Sequence, residues 1–239
     1  MTAHKVKAVF FDAAGTLFTV NGSVGAIYAN LAREHGKDVS IADVEAGFRR
    51  FFAAAPPMAF PGASAEQIPA LEKQWWKTLV RGVFSSAGDF LRFDEYFAAL
   101  FEFFARVEAW KLYPETIATL ERLKERGLTL GVISNFDSRL FGLLDGLGIT
   151  QFFDVIVIST QAGAAKPEAA IFGRALAQTG LRAAEAIHIG DSYDADVIGA
   201  RAAGLTPVFI NRSQKTQVSV DSLQANSLAD LLTIVNAFG

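Results

Sequence analysis

From residue 113 to residue 210 the chain repeats one step: a helical stretch, a short apolar run, and a polar residue or glycine where the run stops. The spacing predicts helices over 115–126, 137–147, 167–179 and 194–203, and strands over 128–133, 153–158, 186–189 and 206–210. Gly127 closes the first of these helices, and Pro167 stands in the first turn of the third. Strands separated by helices pair in parallel, with helices on both faces and the ligand site beyond the carboxyl ends of the strands. Residues 7–11 add a strand of the same kind, which stops at Asp12. The fold class is therefore α/β, and 239 residues, 51% of them hydrophobic, suffice to bury its core. Residues 211–226 lack periodicity and read as a surface loop before a last helix over 228–238.

Between the first strand and the alternating half lies a stretch of different character. A helix is expected over 21–35, stopped by Gly36. Ile41, Val44, Phe48, Phe51, Phe52 and Ala55 recur at helical spacing, as do Phe93, Tyr96, Phe97, Leu100, Phe101 and Phe104, with Trp75 and Trp76 between the two sets. Such stripes can grip a flat ligand, but at helical period they more often form the core of a small helix bundle, and that is the expectation here. The proline-rich stretch 56–62 breaks the bundle as a loop.

Composition narrows the function classes. The net charge is −3 and the Lys and Arg residues are scattered, so no basic face is offered to nucleic acid or to an acidic membrane. Cysteine is absent, which removes disulfides, thiolate nucleophiles and Cys-ligated metals and fits a reducing, cytoplasmic setting. The apolar run before Asp12 is too short for a signal peptide or a membrane span.

The polar residues at the strand ends carry the chemistry. Asp12, Ser134 and Asp191 each follow a predicted strand, and Lys166 sits in a loop after another, so the topology brings them to one sheet edge. Two carboxylates there repel unless a cation lies between them, and Asp12 with Asp191, backed by Asp194 or Asp196, suggests an oxygen-ligand Mg²⁺ site. Ser134 and Lys166 would then supply donors to a phosphoryl group, leaving Asp12 as nucleophile. Singly, each has a duller reading: Ser134 as a turn residue, Lys166 as a solvated lysine, Asp191 and Asp194 as helix-capping acids. His188, inside a strand, reads as a core residue, and His4 and His35 as surface residues.

These residues resemble the motifs of the haloacid dehalogenase-like hydrolase superfamily. The stretch 12–16 looks like motif one, Ser134-Asn135 like motif two, Lys166-Pro167-Glu168 like motif three and the stretch 190–196 like motif four. The resemblance implies a Rossmann-like three-layer α/β/α core over 1–18 and 110–239, with an inserted helical C1-type cap over 19–109. It implies a Mg²⁺-dependent phosphohydrolase acting on a small phosphorylated metabolite. In that reading Asp12, Ser134 and Lys166 are catalytic, Ser134, Asn135, Lys166 and Thr16 bind substrate, and Asp12, the Ala14 carbonyl, Asp191 and Asp196 hold the metal. One position departs from the pattern: family phosphatases carry a second Asp, the general acid/base, where this chain has Ala14. Three alternatives follow. One is a 2-haloacid dehalogenase, which needs no leaving-group acid. Another is a phosphonatase, with Lys37, Lys73 or Lys77 as cap lysine. The last is a binding module that keeps the pocket without turnover.

Overall fold

The computed structural model describes residues 5–212 and 222–238. Strand β1 (Ala8–Phe11) leads into β2 (Phe18–Val20) and four helices, α1 (Val24–Glu34), α2 (Ile41–Ala54), α3 (Ile68–Val83) and α4 (Phe93–Phe103). The chain returns through β3 (Trp110–Leu112), α5 (Thr116–Glu125), β4 (Thr129–Ser134), α6 (Arg139–Gly146), β5 (Val155–Ile158), α7 (Ser159–Ala162) and α8 (Ala169–Thr179). It ends with β6 (Ala186–Gly190), α9 (Gly199–Ala202), β7 (Thr206–Ile210), β8 (Leu223–Ala225) and α10 (Leu231–Asn236). No described helix is long and apolar enough to cross a membrane.

Six parallel strands lie in the order β5-β4-β1-β6-β7-β8. Omitting the ribbon strands β2 and β3, this is the doubly wound order, with β1 at the point where the chain switches direction across the sheet. Both faces of β1 are buried. Val9 and Phe11 join one apolar cluster with Leu120, Leu140 and Ile187, while Ala8 and Phe10 join another with Ile171 and Phe172. Coverage on both sides is why β1 reads as an unbroken apolar run. Truncating Phe10 to Ala would cost about 3–5 kcal/mol.

The four helices α1–α4 pack around an apolar cluster of their own, built on Tyr28, Val44, Leu79, Val80, Tyr96 and Leu100. Ser23 caps α1, its hydroxyl accepting from the Ala26 N–H at 3.1 Å. The helices join the sheet through an antiparallel ribbon that pairs Phe18 with Leu112 and Val20 with Trp110.

Several expectations need correction. Pro167 lies in the loop before α8, after a cis Lys166–Pro167 bond, and Glu168 stands at the helix N-cap. The expected helix over 194–203 is a π-helical turn, Tyr193–Ile198, followed by α9. Part of the expected loop over 211–226 lies outside the described residues, and its end forms the edge strand β8, too short to show a period. The expected helix over 228–238 opens with a 3₁₀ turn, Leu228–Asp230, capped by Ser227. His4 also lies outside the described residues.

Candidate active site

The sheet register fixes where the polar residues fall. Phe11 is level with Val132 and Ile189 in the neighbouring strands, so Asp12, Ser134 and Asp191 leave the sheet within two residues of one level. The backbone N–H of Asp12 donates to the Ile189 carbonyl at 2.9 Å, which extends the pairing to Asp12. A tight turn follows, closed by the Leu17 N–H donating to the Ala13 carbonyl at 2.8 Å. Gly15 takes φ of 93° in that turn, and a Cβ there would lie 2.3 Å from the Asp191 carboxylate. Only glycine meets both demands.

Lys166 is the centre of the cluster. The residue is 5% exposed, and its ammonium donates to Asp12 Oδ1 at 2.7 Å and to Asp196 Oδ1 at 2.5 Å. The Ser134 hydroxyl donates to the same Asp12 oxygen at 3.0 Å. Asn135 grips the Lys166 backbone from both ends, its amide donating to the carbonyl at 2.9 Å and its Oδ1 accepting from the N–H at 2.7 Å. Asn135, expected as a substrate contact, lines the cavity and also positions the lysine.

Asp196, and not the exposed Asp194, is the second acid of the cluster. Its Oδ1 also meets His188 Nε2 at 2.9 Å, and its Oδ2 accepts from the Ser192 N–H at 2.9 Å. Gly190 makes room for it, since a Cβ there would fall 2.0 Å from the Asp196 carboxyl carbon. His188 is thus a core residue with a polar task. Burial holds its pKa below the usual value, and Nε2–H donating to the carboxylate is the tautomer that fits. Its Nδ1 is buried without a partner among the described residues.

Oxygens of Asp12, Asp191 and Asp196 lie within 4.8 Å of one another. Three carboxylates face one ammonium, so the cluster carries uncompensated negative charge. Asp191 lies open to solvent on its outer side while its carboxyl turns in against Gly15. Desolvation of that carboxyl, and then the charges of Asp12 and Asp196, push its pKa up to about 7. Asp196 is held low despite its burial by Lys166 and His188. A divalent cation with oxygen ligands answers both the surplus charge and the strained Asp191, so this donor set fits one.

Two residues sit differently from expectation. Thr16 is fully buried and does not line the cavity, because the tight turn rolls it inward; its carbonyl accepts from Arg212 at 2.5 Å. Arg212 carried no sequence signal, yet it also donates to the Gly15 carbonyl at 3.1 Å and to Glu115 at 2.7 Å, and stacks 3.4 Å from the Tyr113 ring centroid. It clamps the motif-one turn from behind. His35, expected at the surface, is half-buried edge-on to Tyr96.

Above the cluster is a cavity of about 470 Å³, floored by Asp12, Ala14, Ser134 and Lys166 and walled by aromatic residues of the helices. The aromatic stripes therefore split: Tyr96 is buried in the helix core, while Phe48 and Phe52 face the cavity together with Trp75 and Trp76 from between the stripes. The helices are tied to the sheet by polar contacts that the sequence did not signal. Trp76 Nε1 donates to Asp137 Oδ2 at 2.6 Å, and Glu72 accepts from the Ser138 N–H and hydroxyl at 2.9 and 2.8 Å. Arg139 binds Asp137 through both oxygens and donates to the Phe101 carbonyl at 3.0 Å. Of the described lysines only Lys166 lines the cavity. Lys37 donates to the Ala87 and Asp89 carbonyls, Lys73 lies over Phe101, and Lys77 pairs with Asp94.

Comparison with known proteins agrees with this geometry. A family profile described as haloacid dehalogenase-like hydrolase matches residues 6–204. The chain is 35% identical over 220 residues to haloacid dehalogenase-like hydrolase domain-containing protein 3 of Danio rerio, covering 90% of each chain. It is 29% identical over 242 residues to a glyceraldehyde 3-phosphate phosphatase of Methanothermobacter thermautotrophicus, covering 93% of each. The crystal structure of a HAD phosphatase from Thermococcus onnurineus superposes with a TM-score of 0.68 at 27% identity, covering 96% of this chain and 98% of that one. With the strand order, the motif positions and the matched span in agreement, the chain belongs to the haloacid dehalogenase-like hydrolase family.

Proposed function

We propose that this hydrolase is a Mg²⁺-dependent phosphohydrolase that forms an aspartyl-phosphate on Asp12 and acts on a small phosphorylated metabolite. The observation that carries the reading is Lys166 bridging Asp12 and Asp196 at the floor of a cavity, with Asp191 beside them. The phosphatase names borne by relatives support the same class.

Each residue then has a task. One oxygen of Asp12 is anchored by Ser134 and Lys166, which leaves the other to attack phosphorus. As phosphoryl oxygens enter, the Ser134 hydroxyl and the Lys166 ammonium turn donors toward them, and Asp196 keeps the lysine in place. Asn135 fixes the lysine's backbone. Asp12, the Ala14 carbonyl and Asp191 would hold Mg²⁺, which would supply charge neutralisation for the phosphoryl oxygens. Asp196 completes the acidic cluster, but its oxygens are already engaged by Lys166, His188 and the Ser192 N–H. Residues 19–109 act as the lid that closes over the floor and excludes water, held through Asp137 and Glu72.

Ala14 supplies no proton to the leaving oxygen and no base to the attacking water. That loss, typically ~10²- to 10⁴-fold in rate, falls on both half-reactions. The three-carboxylate cluster favours this reading over metal-free halide displacement, which has no use for a cation site. Turnover of acetyl phosphate and nitrophenyl phosphate with and without Mg²⁺, in wild type and Asp12→Asn, is the test. Turnover that needs both the metal and Asp12 is expected; Mg²⁺-independent release of halide from 2-haloacids, with no phosphate turnover, would reverse the assignment.

A further inference from the structure

Two independent features restrict the substrate of the site proposed above. The first is the cavity wall. Phe48, Phe52, Trp75, Trp76, Phe97 and Phe101 present aromatic surface to the space above the acidic floor. Phe52 is 48% exposed, which a residue serving only the helix core would not be. The polar groups of this wall are already engaged. Trp75 Nε1 donates to the Pro56 carbonyl at 3.0 Å, Trp76 Nε1 to Asp137 at 2.6 Å and Trp110 Nε1 to the Phe104 carbonyl at 3.1 Å. Arg139 spends its guanidinium on Asp137 and Phe101. A sugar or polyol phosphate would bury hydroxyls against groups that cannot bond them, at about 1–3 kcal/mol each, or roughly 5- to 150-fold per hydroxyl. A second phosphate would find no uncommitted cation among the described residues of the wall. On the wall itself the hydroxyl of Tyr28, a residue 2% exposed that lines the cavity, makes no hydrogen bond to the described residues. The wall therefore suits a flat apolar group with at most one polar substituent.

The second feature is Ala14, which leaves departure of the alcohol without an acid. A phenol, with pKa about 10 as in tyrosine, leaves as its anion far more readily than an alkyl alcohol, whose pKa is close to the value of about 15.7 for water. Wall and missing acid point to the same chemical class, although neither depends on the other.

We infer that the substrate is a phosphate monoester of an aromatic alcohol, its ring held between the aromatic walls and Tyr28 reading one ring substituent. This rests on the phosphohydrolase reading. Asp12 attacks phosphorus, the bond from phosphorus to the aryl oxygen breaks, and the electron pair leaves on that oxygen. Water then attacks the aspartyl-phosphate, the bond to Asp12 breaks, and the proton lost by water balances the phenolate. The sum is aryl phosphate plus water giving phenol plus inorganic phosphate.

Steady-state kcat/KM for naphthyl phosphate, phenyl phosphate, glycerol phosphate and acetyl phosphate tests this. Acetyl phosphate has a good leaving group and no ring, so it reports the phosphohydrolase reaction alone. Naphthyl phosphate is expected to exceed glycerol phosphate by at least ~100-fold. Phe52→Ser is expected to lower the ratio of naphthyl to acetyl phosphate kcat/KM by about tenfold, chiefly through the KM of the aryl substrate. If acetyl phosphate is turned over in an Asp12-dependent way but glycerol phosphate matches naphthyl phosphate, the aryl assignment is wrong and the phosphohydrolase reading stands. If no phosphate ester or anhydride is turned over, both fall.

Discussion

Lys166 Nζ stands 2.7 Å from Asp12 and 2.5 Å from Asp196, so a single buried ammonium joins the end of the first strand to the π-helical turn after β6. Its pKa is raised because the two carboxylates outweigh its desolvation, and it stays charged across the physiological range. Replacing it with Met leaves two buried carboxylates facing each other. Lys166→Met is expected to lower unfolding stability by about 3–5 kcal/mol in urea titration and to abolish measurable turnover. Unchanged stability would mean that the triad does not hold the two elements together.

Gly190 gives a sharper test of the same contact, because it changes no charge. A methyl group there meets the Asp196 carboxyl carbon at 2.0 Å, so Gly190→Ala must push the acid away from Lys166 and His188. The expected result is a loss of about 1–3 kcal/mol with a much larger proportional fall in kcat. Equal kcat in the variant would contradict a positioning role for Asp196.

In the proposed metal site, Asp191 is expected to set the pH dependence of Mg²⁺ binding. Its folded-state pKa, near 7, lies above the unfolded value, so the metal-free folded state holds the extra proton. Any stability this group contributes is present below about pH 4 and is lost as pH rises through about 7. A cation must displace that proton, so the Tm gain from a fixed Mg²⁺ concentration is expected to grow between about pH 5.5 and pH 7.5. Differential scanning calorimetry showing a flat gain would sink the assignment of Asp191 as a metal ligand.

Ala14 can be converted back. Ala14→Asp puts a carboxyl beside Asp12 on the cavity floor, where it can protonate a departing alkoxide. The rate on alkyl phosphates is expected to rise ~10²-fold, with a smaller gain on aryl phosphates, whose leaving groups need less help. Equal gains on both would show that Ala14 is not what limits leaving-group departure.

Asp137 ties the helices to the sheet through Trp76 and Arg139. Asp137→Ala strands the Arg139 guanidinium and the Trp76 N–H, and is expected to cost about 3–5 kcal/mol and to raise KM. Normal KM and stability would show that this contact does not hold the lid.

The strand ends were legible in the sequence because topology alone gathers them: Asp12, Ser134 and Asp191 follow buried apolar runs, and parallel strands deliver their ends to one edge. The absence of an acid at Ala14 was legible too, as a single residue type at a known offset. What escaped depends on particular side-chain pairings, most of them between residues far apart in the chain. Glu72 meets Ser138, Arg212 meets Gly15 and Thr16, and His188 meets Asp196 across a turn of π-helix that leaves no mark on the apolar pattern. The helical period of the aromatic stripes predicts core, which holds for Tyr96 but not for Phe52, since periodicity reports a face and not what the face meets. Thr16, expected to bind substrate, is buried by the geometry of its turn.

In the proposed reaction Asp12 becomes phosphorylated. Without an acid/base at Ala14, hydrolysis of that intermediate is the slow step for a good leaving group, so it should accumulate. Rapid acid quench of the protein with nitrophenyl phosphate and Mg²⁺, followed by peptide mass spectrometry, is the direct measurement. A burst of nitrophenol approaching one equivalent per protein, with a phosphoryl group on the peptide holding Asp12, is the predicted result. Steady turnover with no burst and no modified peptide, or phosphate on another residue, would contradict it.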